Sequence, residues 1–141
     1  MVNAPKRSEQ KQGDITLVSN AISRLQEHVN NDPELMRRGK YFSTKFALGI
    51  DNTWTMFVID DGKLVEVLVE VRDAPKGTDF IIKTDAETWA LFNEANPKPG
   101  YQDLTALVET RRARVSGDVI PWLSNMMYIK GVINKFVSCE L

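Results

Sequence analysis

Few side chains in this sequence have the types and spacing that catalysis needs. Its one histidine, His28, would have to supply the imidazole of any His-based triad, and a second histidine for a metal pair is lacking. His28 falls on the polar side of the first predicted helix, which favours a plain surface residue. The adjacent acids Asp60 and Asp61 precede Gly62, and this order is more typical of a tight turn than of an acid–base pair. We therefore predict no catalytic residue.

Signatures of cofactors and metals are also missing. The eight glycines form neither a G-x-G-x-x-G nor a G-x-x-x-x-G-K-[ST] motif, so no phosphate-binding loop is visible. The only cysteine, Cys139, excludes an intrachain disulfide and a cysteine-built zinc site. We predict no cofactor and no metal, and the cysteine count fits a reducing compartment.

Two clusters of basic residues have a structural interpretation, and the second also has a functional one. Arg37-Arg38-Lys40 ends a short predicted helix, where cations offset the negative end of the helix dipole. Arg111-Arg112-Arg114 enters a predicted edge strand, where charge discourages aggregation between sheets. The second cluster could also meet an anionic head group or a membrane surface. The structural interpretation is favoured for both clusters.

Length and charge narrow the class of protein. The 141 residues carry 18 Lys and Arg against 19 Asp and Glu, and 43% of them are hydrophobic. This indicates one soluble domain, predicted at residues 14–141 after a disordered tail at 1–13. A net charge of −1 lacks the cationic surface that binds phosphates, so nucleic acid is not an expected partner. With no bilayer-length apolar run and no signal peptide, we expect a cytoplasmic protein.

The hydrophobic periodicity predicts an α+β domain. Apolar residues recur every three or four positions after Asp14, and Asp32-Pro33 starts a second, short helix ending near Gly39. Alternating residues after Tyr41 predict a strand, followed by strands at 53–59, 63–71, 78–84 and about 112–116. Asp85 and Asp103 are expected to cap short helices, and Asp118 to cap a last helix running to about Val137. Five mainly antiparallel strands are therefore expected, with helices packed on the sheet.

The apolar residues outnumber what one small core needs. The last predicted helix is apolar around most of its circumference, and the second strand is apolar on both faces, with Trp54, Met56 and Val58 on one and Phe57 and Ile59 on the other. In the third strand, Val65, Val67, Val69 and Val71 are expected on one face and Leu64 and Leu68 on the other. Each residue alone fits an ordinary core, but together they suggest a cavity.

The order of several short motifs resembles the sterol carrier protein-2 family. These are Phe46-x-x-Gly49-x-x-x-x-Trp54-x-x-x-Val58-x-x-Asp61-Gly62, then Thr78-Asp79-Phe80-Ile81-Ile82, a helix with Trp89, and Val115-x-Gly117-Asp118 before an apolar terminal helix. The likeness covers roughly residues 20–137. It implies a five-stranded sheet with helices over one face and, between them, an apolar tunnel that receives fatty acids, acyl-CoAs or sterols.

The resemblance also implies which residues line that tunnel. Carried over position by position, the lining residues are Trp54, Met56, Val58, Trp89, Phe92, Trp122, Met126 and Met127. The family often has a glycine before the fifth strand, where this chain has Thr110-Arg111-Arg112.

The leading functional hypothesis is non-enzymatic binding and transfer of a lipid. The expected partner is a fatty acid, an acyl-CoA or a sterol, with transient membrane contact and a monomeric chain. A second hypothesis is an enzyme, or an accessory domain of one, that presents a hydrophobic substrate to an acid such as Asp118 or Glu87. A third is an interaction module whose terminal helix covers a partner protein.

Overall fold

A computed structural model describes residues 19–71 and 73–139. The predicted tail at 1–13 and the predicted helix start at Asp14 lie outside these ranges. Helix α1 covers described residues 19–30, and His28 on it is exposed. The other helices are α2 (Pro33–Arg38), α3 (Ala86–Phe92), α4 (Leu104–Glu109), α5 (Val119–Ser124) and α6 (Met126–Ser138). None of the described helices is both long and apolar enough to cross a bilayer.

Five strands form one sheet in the order β3-β2-β1-β4-β5. They are β1 (Thr44–Ile50), β2 (Thr53–Asp60), β3 (Lys63–Val71), β4 (Phe80–Thr84) and β5 (Arg114–Gly117). The central pair, β1 and β4, is parallel, and the other three pairs are antiparallel. The predicted α+β fold with a mainly antiparallel five-stranded sheet is therefore confirmed.

Aspartates begin the short helices as the sequence predicts. The Asp32 carboxylate accepts the N–H groups of Glu34 and Leu35, and the Asp85 carboxylate accepts that of Thr88. Asp103 likewise caps α4. These bonds satisfy N–H groups that have no partner inside the helix, which fixes where each helix starts.

An aromatic cluster fills the space between the sheet and the helices. The Phe46 ring at the centre of the sheet stacks on Phe57 and Phe80, with ring centroids 4.9 and 5.3 Å away. Phe57 meets Phe136 of α6 edge to face at 5.3 Å, and Phe80 lies 6.4 Å from Trp122 of α5. We call the side of the sheet that carries Phe46, Phe57 and Phe80 the helix face, and the opposite side the second face.

Two details of the chain differ from the sequence prediction. The predicted continuous last helix is divided at Asn125 (φ −133°), whose side chain donates to the carbonyl of Pro121. A register shift between Val58 and Ile59 makes β3 irregular, so that Leu64 pairs with Ile59 and is buried, whereas Val65 is 49% exposed. The prediction that placed Val65 with Val67, and Leu64 on the other side, was wrong, because a bulge reverses the alternation.

Candidate functional site

The eight residues implied as a tunnel lining occupy three places. Trp54, Met56 and Val58 point to the second face of the sheet, because Phe57, which alternates with them, is buried on the helix face. The Trp54 ring lies against Gly49, where an added Cβ would come within 2.6 Å of it, and the Lys83 ammonium is 5.6 Å from the ring centroid.

The other five lie on the helix side of the sheet. The rings of Trp89 and Phe92 on α3 pack at a tilt of 31° with their centroids 5.2 Å apart, and the Trp89 centroid lies 6.3 Å from that of Phe136 in the aromatic cluster. Trp122 is buried on Phe80. Met126 and Met127 begin α6 and help to line a pocket of about 300 Å³. The sheet therefore lies between Trp54, Met56 and Val58 on one side and these five residues on the other.

A larger groove lies where α4, β5 and α5 meet. Its volume is about 600 Å³, within the usual range for small-molecule sites. Its walls are mostly apolar, and two arginines and a serine supply the polar groups. The lining residues are Val108, Arg111, Ala113, Arg114, Val115, Ser116, Val119, Trp122 and Leu123. The resemblance pointed to Trp122 alone among these.

Local structure explains how the groove forms. The turn after α4 folds back so that the N–H groups of Arg112 and Ala113 both reach the carbonyl of Leu107. This turn holds Arg111 in the left-handed region, at φ 62°. On the other wall, Asp118 caps α5 by accepting the N–H of Ile120. The buried Trp122 then attaches α5 to the sheet and forms part of the groove wall.

The charged groups of the groove are cationic. Arg111 and Arg114 are exposed, and neither forms an ion pair with any residue of the described part of the chain. Arg112 turns away from the groove and places its guanidinium carbon 4.4 Å from the centroid of the Tyr101 ring. An apolar groove with two such arginines suits a ligand that has a hydrophobic chain and an anionic end.

The acids named in the enzyme hypothesis have other surroundings. Asp118 serves as the cap of α5, and Glu87 is exposed in the first turn of α3. Neither belongs to the lining of the groove. Within the described ranges no group of three His, Cys, Asp or Glu side chains is placed to hold a metal ion.

Sequence reasoning did identify parts of the groove without placing them together. The cluster at residues 111–114 was singled out for a head group or a membrane, and Val119 and Leu123 belong to the helix with excess apolar surface. Val115 was named only in the motif Val115-x-Gly117-Asp118. Val108 and Ala113 carried no distinct signal, because an apolar residue in a short helix or strand is usually core.

The chain has the sterol carrier protein-2-like fold. The crystal structure of sterol carrier protein 2 superposes with a TM-score of 0.65 at 11% identity, covering 86% of this chain and 95% of that chain. A conserved protein from Thermus thermophilus, described as possibly a sterol carrier protein, superposes at 0.59 with 12% identity over 79% and 83% of the two chains. UbiJ-SCP2, a ubiquinone synthesis protein, superposes with a TM-score of 0.52 at 20% identity, covering 86% of this chain and 93% of that chain.

These similarities concern the fold. No protein-family model matches the sequence, and no curated protein matches it significantly.

Proposed function

We propose that this protein binds the hydrophobic part of a lipid without chemically changing it and carries that lipid between membranes in the cytoplasm. The observation that carries the proposal is the apolar groove between α4, β5 and α5, with Trp122 and Leu123 in its wall. The fold supports it, because one protein of similar structure is named as a sterol carrier and a second as possibly one.

The arginines favour one ligand class among fatty acids, acyl-CoAs and sterols. Arg111 and Arg114 line the same groove as the apolar side chains. A fatty acid or an acyl-CoA brings a carboxylate or phosphates that these guanidinium groups can hold, whereas a sterol brings a neutral hydroxyl. The preferred ligand is therefore an acyl chain with an anionic end.

The apolar wall can supply the main part of the affinity. Each methylene group removed from water contributes about 0.8 kcal/mol, so eight buried methylenes would contribute about 6 kcal/mol before association costs. Leu123 in the wall is 60% exposed, which leaves surface that a chain would cover. Such an accessible site suits reversible loading and release.

Titration with palmitate, followed by tryptophan emission and calorimetry, tests the proposal. We expect saturation at about one ligand per chain. Leu123→Ser should weaken binding roughly tenfold, since the loss of a few buried methylene contacts amounts to about 1.4 kcal/mol. Leu68→Ser is the matched control, because Leu68 is also partly exposed, at 42%, but lies on β3, with Met56 as its strand partner.

The two variants distinguish two sites. If Leu68→Ser weakens binding and Leu123→Ser does not, the ligand lies on the second face beside Met56 and Val58, and the groove assignment is overturned. If palmitate, palmitoyl-CoA and cholesterol all fail to saturate the wild-type protein, the function itself is refuted. Turnover of any of these ligands would support the enzyme hypothesis instead.

A further inference from the structure

Four exposed apolar side chains lie together on α5 and the start of α6. Val119, Ile120, Leu123 and Met127 are 40%, 68%, 60% and 52% exposed. Ile120 and Leu123 are three residues apart on one helix, and Val119 and Leu123 are four apart, so all three share one side of α5. Leu123 and Met127 line the same small pocket. We call these four residues the α5 surface.

The fold brings arginines of both basic clusters to pockets that share Leu123 of this surface. Arg38 lines the small pocket together with Leu123 and Met127. Arg111 and Arg114 line the large groove, whose wall also includes Leu123. Residues that are far apart in sequence thus flank one apolar helix, although the whole chain has a net charge of −1.

Two acidic groups near these arginines, Glu34 and Asp118, already have partners of their own. Arg38 and Arg37 both form ion pairs with the Glu34 carboxylate, with N–O distances of 2.9 Å for Arg38 and 2.6 Å for Arg37. Asp118 is exposed at the first turn of α5, where its carboxylate accepts a backbone N–H. On the Arg38 flank two arginines therefore share one carboxylate. On the other flank Arg111 and Arg114 form no ion pair with any described residue.

We propose that the α5 surface docks on an anionic phospholipid bilayer. Its aliphatic side chains would enter the boundary between head groups and acyl chains, while Arg38, Arg111 and Arg114 contact phosphates. Charge complementarity favours this occupant over a protein. The exposed members are aliphatic side chains and one methionine, and the only tryptophan of α5, Trp122, is buried beneath them.

Docking would also place the groove at the bilayer. Val119 and Leu123 belong to both the α5 surface and the groove wall, so a docked molecule would hold the groove against the lipid. This consequence rests on the proposed function, whereas docking itself needs no ligand.

Sedimentation with vesicles tests docking in the absence of added lipid ligand. The probes are vesicles of phosphatidylcholine with phosphatidylglycerol and vesicles of phosphatidylcholine alone. We expect binding to the anionic vesicles that weakens between about 0.01 M and 1 M salt, because the screening length falls from roughly 30 to 3 Å. Neutral vesicles should bind more weakly.

Ile120→Ser is the decisive variant, because Ile120 is the most exposed residue of the α5 surface and lines neither pocket. It should weaken vesicle binding roughly tenfold and leave palmitate affinity unchanged. Arg111→Gln should weaken anionic-vesicle binding roughly fivefold. Leu68→Ser and Arg24→Gln, which change an exposed leucine on β3 and an exposed arginine on α1, are the matched controls and should bind as wild type.

The outcomes separate docking from ligand binding. Vesicle binding by a protein that binds none of palmitate, palmitoyl-CoA and cholesterol would support docking and refute the proposed function. Equal vesicle binding by Ile120→Ser and wild type, or no binding to anionic vesicles, would overturn docking. A dimer in analytical ultracentrifugation that Ile120→Ser dissociates would overturn it in favour of a second copy of the chain as the occupant.

Discussion

Replacement of Arg111 by glycine is expected to stabilise the protein. Arg111 is held at φ 62°, and an L-residue in this region costs roughly 1–2 kcal/mol relative to its preferred conformations. Glycine avoids this cost but has more freedom to lose on folding, which offsets roughly 0.5–1 kcal/mol. The backbone N–H of residue 111, which donates to the carbonyl of Val108 at 3.1 Å, is kept. The net expectation is a gain of about 0.5–1 kcal/mol.

The neighbouring Arg112 provides a control with the opposite sign. It is not among the residues of positive φ, and its guanidinium stacks on Tyr101. Arg112→Gly should lose about 0.5–1 kcal/mol of cation–π contact and a similar amount to the greater freedom of glycine in the unfolded chain. The expected net loss is therefore about 1–2 kcal/mol.

Urea unfolding followed by tryptophan fluorescence measures both changes. If the dependence of the unfolding free energy on urea has the same slope in each protein, the urea concentration at half unfolding should rise for Arg111→Gly and fall for Arg112→Gly. The melting temperature of Arg111→Gly should rise by about 2–4 °C. A loss for Arg111→Gly as large as that for Arg112→Gly would refute the reasoning. Combined with weaker vesicle binding, a stabilised Arg111→Gly would show that this arginine is kept at the expense of stability.

Other predictions concern the frame around the site. Tyr128→Phe should cost about 1–3 kcal/mol in urea unfolding, because the buried hydroxyl donates to the carbonyl of Gly62 at 2.6 Å and the variant leaves that acceptor unpaired; an unchanged midpoint would contradict this. Partial burial raises the pKa of the Asp103 carboxyl, but the N–H groups that it caps and Lys130 outweigh this effect and hold the pKa below its usual range. The ionised carboxyl therefore stabilises the fold above the unfolded-state pKa, and this stabilisation is lost as the pH falls through the folded-state pKa. Asp103→Asn should therefore flatten the acid side of the stability–pH curve, and an unchanged curve would exclude this carboxyl as the cause. His28→Ala should leave the melting temperature and the palmitate affinity unchanged, since His28 is exposed; a tenfold loss of binding would place it in a site.

The helix starts could be predicted because their signals are local. An aspartate before a short apolar segment accepts N–H groups two or three residues ahead, and Asp32, Asp85, Asp103 and Asp118 all do so. No distant contact is needed to fix such a cap. The break at Asn125 could not be predicted, because the apolar pattern continues through it without change of period.

The face of the sheet that the helices cover could not be read from the second strand. Both of its faces are apolar, so alternation separates Met56 from Phe57 without deciding which one is covered. The contact between Phe57 and Phe136 decides it, and these residues are far apart in sequence. Likewise, the groove requires the turn at Arg111 to meet α5, and no spacing within either segment records that meeting.

The parallel pairing of β1 with β4 has a consequence for the order in which the chain folds. β1, β2 and β3 form a meander of sequence neighbours, but Phe46 of β1 reaches Phe80 only after the chain has passed through β2 and β3. Closing this longer loop costs more entropy before any contact compensates it, so the meander should form first. Pulsed hydrogen exchange during refolding should then protect the β1–β2 amides before those of β4 and β5. The walls of the groove, which include β5 and α5, would be among the last parts of the molecule to become ordered.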